Sequence, residues 1–123
     1  MGGTRSTALG TGFEQRAATF LVRRGLEVVA RNFRCRLGEL DLVMRDADAL
    51  VVVEVRSRGS TRFATAAESV DRHKQQKLMR ATQFFLARHP HFADLPLRFD
   101  VVAFDAKDGD NHNLRWIPDA FRP

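Results

Sequence analysis

The chain has almost no cysteine, no apolar run long enough to cross a bilayer, and no repeat or low-complexity stretch. Cys35 is the single cysteine among 123 residues. That excludes an internal disulfide and a cysteine-based zinc cluster, and it suits a reducing compartment. The N-terminus lacks the apolar core of a secretory signal, so a cytoplasmic protein is expected. No serine-histidine triad pattern and no phosphate-binding glycine loop is visible. The histidines, His73, His89, His91 and His112, lack the spacing of a zinc set and read as surface residues.

Acid is in short supply. The chain carries 15 Asp and Glu against 20 Lys and Arg, for a formal net charge of +5. The pI of about 10.6 makes a polyanionic partner plausible, although a basic soluble protein without such a partner has the same balance. With 44% hydrophobic residues the chain can fill one core, and its length fits one domain.

The first eleven residues are small, polar and glycine-rich, and are expected to be mobile ahead of a single domain over residues 12–123. Gly12 to Arg24 reads as a helix closed by Gly25. Leu26–Cys35 and Leu37–Arg45 read as strands, with a turn at Asp46-Ala47-Asp48. Leu50–Ser57 has few polar residues, as a central strand buried on both faces would. Arg58–Val70 reads as a loop and Asp71–Arg88 as a second helix ended by His89-Pro90. Leu97–Asp105 is a further strand, Lys107–Asn111 a turn, and Asn113–Ile117 a short last strand. The order α-β-β-β-α-β-β predicts an α/β fold, a mixed central sheet flanked by helices.

Two phrases set acidic residues inside apolar strand-like runs, Gly38-Glu39-Leu40-Asp41-Leu42-Val43 and Val53-Glu54-Val55-Arg56. Strand side chains alternate, so Glu39 and Asp41 share a face, as do Glu54 and Arg56. A hairpin can bring these three carboxylates and one guanidinium together. Carboxylates on a half-buried surface need a cation or a basic partner. The functional reading is a magnesium or manganese site on Asp41 and Glu54, completed by the Val55 carbonyl and Glu39. The plain alternative is a salt-bridged face, with Glu54 paired to Arg31, Arg34 or Arg56.

Glu14 falls on the apolar side of the first helix, where it can serve as a metal or metal-water ligand. Alternatively, it lies in the first turn and is stabilised by the helix dipole. Lys74 opens the second helix and can reach toward the carboxylates, or simply snorkel to water. Arg58, Arg62, Arg72, Lys77 and Arg80 form a basic segment able to grip phosphates or to act as a solvated face. Trp116 and Phe121 look like residues that close a core or an interface rather than base-stacking platforms. Asp100 alternates with Phe99 and Val101, a placement that suits pairing with a neighbouring arginine.

These phrases, together with Gly12-Phe13-Glu14, Arg31-Asn32-Phe33-Arg34, Lys74 with Leu78, Arg98-Phe99-Asp100-Val101 and Ile117-Pro118-Asp119-Ala120-Phe121, resemble the YraN-like family of small uncharacterised bacterial proteins. That family looks like the restriction-endonuclease-like superfamily, archaeal Holliday-junction resolvases in particular. The resemblance implies a core of α-β-β-β-α-β. It also implies a metal-dependent DNA endonuclease with roles falling on Glu14, Asp41, Glu54 and Arg56. Arg56 stands where that superfamily has lysine, and Lys74 could supply the missing ammonium. The expected partner is DNA, with RNA left open, no membrane, and a homodimer as one assembly to consider. The rival expectation is a non-catalytic nucleic-acid-binding or scaffold protein that kept the fold.

Overall fold

A computed structural model describes residues 4–58, 70–106 and 112–122. The first helix, α1, spans Thr4–Arg23. It begins at Thr4 rather than Gly12; no proline lies in that stretch to stop the helical ladder from extending backward. It closes where the sequence predicts. Gly25 adopts φ 99, and Leu26 N donates to Leu21 O at 3.1 Å, the left-handed glycine ending of a helix.

Three strands follow: β1 over Glu27–Cys35, β2 over Gly38–Asp46 and β3 over Ala49–Arg58. The second helix, α2, covers Arg72–Arg88. Asp71 caps it by accepting from Lys74 N at 2.9 Å, and His89 caps the other end with its N–H on Phe85 O. Strand β4 covers Leu97–Ala106 and β5 His112–Phe121. The last strand is longer than predicted, because Pro118 does not stop it. β5 is an edge strand, where a missing N–H need not break a ladder. The Lys107–Asn111 turn lies outside the described residues.

The strands form one mixed sheet in the order β1-β2-β3-β4-β5, consistent with a restriction-endonuclease-like core. Every neighbouring pair is antiparallel except β3 and β4, which run parallel and are joined through α2. β3 is central, and its apolar run serves two layers. Val51 and Val53 pack toward α1 with Ala17, Leu21, Met44 and Phe104. Val52 packs toward α2 with Leu78, Ala81, Phe85 and Phe99. Burial on both faces accounts for the lack of polar alternation in the sequence.

At the β4–β5 edge Asp100 is 0% exposed. Arg98 Nε and Nη2 donate to its two oxygens at 2.9 and 3.0 Å. Trp116 Nε1 and the Asp119 backbone N–H each add a bond at 2.9 Å. The positive φ of 53 at Asp119 marks the irregular backbone that turns this N–H inward. Phe121 stacks on Phe99 at 5.0 Å. Asp100 thus pairs with a neighbouring arginine, and Trp116 and Phe121 pack against the core from its margin, as the sequence suggests.

Candidate active site

The site lies where the sheet splits. The β2–β3 ladder runs from Asp46↔Ala49 to Leu42↔Val53 and stops there among the described residues. Beyond it, Gly38, Glu39 and Leu40 pair with β1 alone and Glu54–Arg58 with β4 alone. The β1–β2 ribbon also turns over at this point. Arg31 bonds Gln15 of α1 at 2.8 Å, whereas Phe33 packs edge-on against Phe85 of α2 at 5.1 Å. On the partner strand, Leu42 belongs to the α1 layer and Leu40 to the α2 layer. Between them stand Asn32, with φ 50, and Asp41. Asparagine tolerates this left-handed conformation better than most residues.

The fork gives both helices access to one place. Asp41 Oδ2 accepts from Val55 N at 2.9 Å and so replaces the ladder bond that the split removes. Oxygens of Glu14, Glu39 and Asp41 lie within 4.8 Å of one another. Glu14 comes from α1, nearly three turns in from Thr4, so the first-turn dipole explanation for it falls away. The Asn32 side chain hydrogen-bonds Glu14. Glu54, 3% exposed, adjoins Asp41 from β3. Its Oε2 receives Arg56 Nη1 at 3.3 Å and Lys74 Nζ at 3.5 Å. Its Oε1 is buried and receives no N–H donor among the described residues; the group it faces is the Asp41 carboxyl, with which Glu54 can share a hydrogen bond only when one of the two is protonated.

Crowding and burial push these carboxyls toward their neutral forms. Burial, then the charges of Asp41 and Glu39, raises Glu14 to about 7. Burial, then the Asp41 charge, raises Glu54 to about 8 against the opposing pull of Lys74 and Arg56. Asp41 is raised too, chiefly by burial, with the Val55 N–H holding it down. A carboxyl raised in the folded state contributes stability below its ordinary pKa, and that contribution is lost as pH rises through the folded value. Metal-free protein should therefore lose stability as pH rises between about pH 5 and pH 8, with buried Glu54 contributing more than half-exposed Glu14. Glu54→Gln should flatten that slope in thermal melts run with a chelator. Parallel pH profiles for the two proteins would mean that Glu54 is already ionised at neutral pH.

A cleft of about 390 Å³ opens beside the carboxylates, lined by Arg34, Arg36, Glu39, Lys74 and Lys77. Its wall forms where the β1–β2 turn meets α2. A Cβ on Gly38 would stand 3.3 Å from Lys77 O. Arg34 approaches Glu39 at 3.8 Å with both side chains well exposed, a weak screened pair.

The structure thus brings together Glu14, Glu39, Asp41, Glu54, Arg56 and Lys74. The contact seen for Val55 is through its N–H to Asp41, whereas the sequence suggested its carbonyl as a ligand. Lys77 lies on the cleft. Arg72 and Arg80 are exposed on α2 and not among the cleft residues. Arg58 ends β3, and Arg62 lies outside the described residues. Sequence reasoning did not assign a site role to Asn32 or Arg36, nor did it place Arg34 on a cleft. For Asn32 a signal was present: an asparagine inside a strand-like phrase.

Residues 13–104 match the model of the uncharacterised protein family UPF0102, a span that contains every carboxylate and both cations of the fork. A UPF0102 protein of Pseudomonas putida (strain GB-1) is 44% identical over 115 residues, 94% of each chain. One of Halorhodospira halophila is 49% identical over 109 residues, 89% of this chain and 83% of that one. One of Xanthomonas oryzae pv. oryzae is 52% identical over 113 residues, 92% and 90%.

Proposed function

The chain belongs to the uncharacterised protein family UPF0102, and from that premise we propose that it is a metal-dependent nuclease that cuts phosphodiester bonds in DNA, branched or repair-associated DNA being the first class to test. One observation carries this reading: the carboxylates of Glu14 from α1 and Glu39 and Asp41 from β2 converge at a break in the sheet, and Glu54 of β3, bearing a lysine and an arginine, adjoins Asp41.

The donor set fits a hard divalent cation. All the candidate ligands are oxygens, as magnesium and manganese prefer. Glu54 Oε1 is buried without an N–H donor among the described residues, and three carboxyls are held in a place that disfavours their charged forms. A cation resolves both conflicts. Asp41 and Glu54 would hold it, with Glu39 or Glu14 beside them. A bound divalent ion supplies Lewis-acid polarisation of the phosphodiester and a more acidic water.

The chain's own residues supply the rest. Glu14, held by Asn32, stands beside Glu39 and Asp41 and can orient a water there. Lys74 Nζ lies within 4 Å of Glu54 and can exchange a proton, a role closed to Arg56. Arg56 can hold a phosphate oxygen and offset charge that develops there. Arg34, Arg36 and Lys77 line the route by which a polyanion would enter.

Binding of the cation is the first test. Calorimetry with magnesium, or manganese relaxation, should show weak binding by the protein alone, because several ligands would come from water and phosphate. Asp41→Asn should abolish it. Equal binding by wild type and variant would move the site elsewhere. Arg56 favours a second reading, a non-catalytic nucleic-acid-binding or scaffold protein on the same fold, because arginine cannot serve as the lysine does in proton transfer.

A further inference from the structure

The outward side of α1 carries charge of one sign. Glu14 is the only acid in the helix, and it is spent on the fork. Away from the fork lies a groove of about 400 Å³ whose lining includes Gln15, Arg16, Phe20, Arg23, Arg24 and Leu114, with no carboxylate among the described residues. Arg16, Arg23 and Arg24 are exposed, and no carboxylate among the described residues pairs with them. Two are held by aromatic rings instead. The Arg16 guanidinium lies 4.8 Å from the Phe104 ring centroid, and that of Arg24 lies 4.3 Å from Phe20. Phe20 in turn meets Trp116 edge-on at 6.2 Å. Stacking fixes a guanidinium plane while leaving its N–H edge available, the arrangement that suits phosphate oxygens.

We propose that this groove is a second phosphate-binding track, which takes the backbone of nucleic acid lying beyond the fork. The proposal rests on the nucleic-acid reading of the site and adds where the flanking segment runs. Continuity with the fork supports it. Gln15 follows Glu14 on α1 and binds Arg31, the neighbour of Asn32. From Glu14 to Arg24 the helix rises roughly 15 Å, about four base steps of a duplex. The proposal therefore needs the duplex to run along α1, from Glu14 toward Arg24. The contacts offered are charge and planar forks rather than base-edge readers, so recognition should be insensitive to sequence.

The test is binding of a fluorescent DNA duplex in chelator across a salt series. It uses wild type, the triple variant Arg16→Ala, Arg23→Ala, Arg24→Ala, and the matching triple lysine variant. The alanine variant should bind about tenfold or more weakly near physiological salt, with the slope of log affinity against log salt shallower by about 2 to 3. The lysine variant should recover most of the slope, because the slope counts charge. Circular dichroism and manganese binding should match wild type in both, which separates a lost track from a lost fold. An unchanged slope in the alanine variant would overturn the proposal, even if wild type cleaves DNA. A lowered slope in a protein that never cleaves would uphold the track and count against the nuclease alone. Capture by phosphatidylserine vesicles that depends on these arginines, without duplex binding, would overturn it in favour of an anionic membrane surface.

Discussion

Lys74→Ala should abolish manganese-dependent cleavage while leaving folding and metal binding intact. Two cations share Glu54 Oε2, Arg56 at 3.3 Å and Lys74 at 3.5 Å. They are not equivalent. Arginine stays protonated at any working pH, whereas a lysine beside a bound water can exchange a proton. Loss of such a group typically lowers a rate by about 10² to 10⁴. If Arg56 has kept only the charge of the position, Arg56→Lys should restore or raise the rate. Asp41→Asn and Glu54→Gln remove the groups that would hold the cation and should be inactive. The assay compares these variants on branched and linear DNA. Activity that survives Glu54→Gln would expose a contaminant. Inactivity of both wild type and Arg56→Lys on every substrate would decide for the non-catalytic reading.

Asp100→Ala should be the most destabilising single substitution at the β4–β5 edge. The carboxylate is fully buried and receives four bonds, two of them from Arg98. Its removal strands the Trp116 and Asp119 N–H groups and strips Arg98 of its main partner. Breaking such a pair from one side costs about 3–5 kcal/mol. Asp100→Asn should do little better. Its oxygen can serve Arg98 Nε and the Asp119 N–H, but its amide N–H₂ would then face two donors, Arg98 Nη2 and Trp116 Nε1. Urea unfolding followed by Trp116 fluorescence measures the loss. A change below about 1 kcal/mol would place Asp100 among ordinary surface-like sites.

Much of this fold is legible because its elements have clean signatures. Gly25 stops α1, Asp71 starts α2, His89-Pro90 stops it, and the unbroken apolar run of β3 marks the central strand. The carboxylate set was legible through simple alternation within each strand. Alternation also misleads here. It places Leu40 and Leu42 on one face, and the structure puts them in opposite layers. That reversal needs one left-handed residue, Asn32, acting with its ladder partners, and no period-two rule contains it. Pro118 reads as a strand end until the strand is known to be an edge. The cationic cleft depends on the β1–β2 turn landing against α2, a tertiary contact between segments far apart in sequence. The reach of Lys74 to Glu54 depends on the same docking.

The irregularities at the two margins of the sheet bear on how copies of the chain can associate. β1 carries a register shift between Val28 and Ala30 and the left-handed Asn32. β5 carries Pro118, which has no N–H to offer, a register shift on its ladder, and the left-handed Asp119. An intruding strand would meet an interrupted row of donors and acceptors on either side. Such margins discourage sheet-to-sheet growth between molecules, including the runaway pairing that ends in aggregates. A homodimer of this chain is therefore expected to join through helix or loop surfaces, with each five-stranded sheet remaining its own unit.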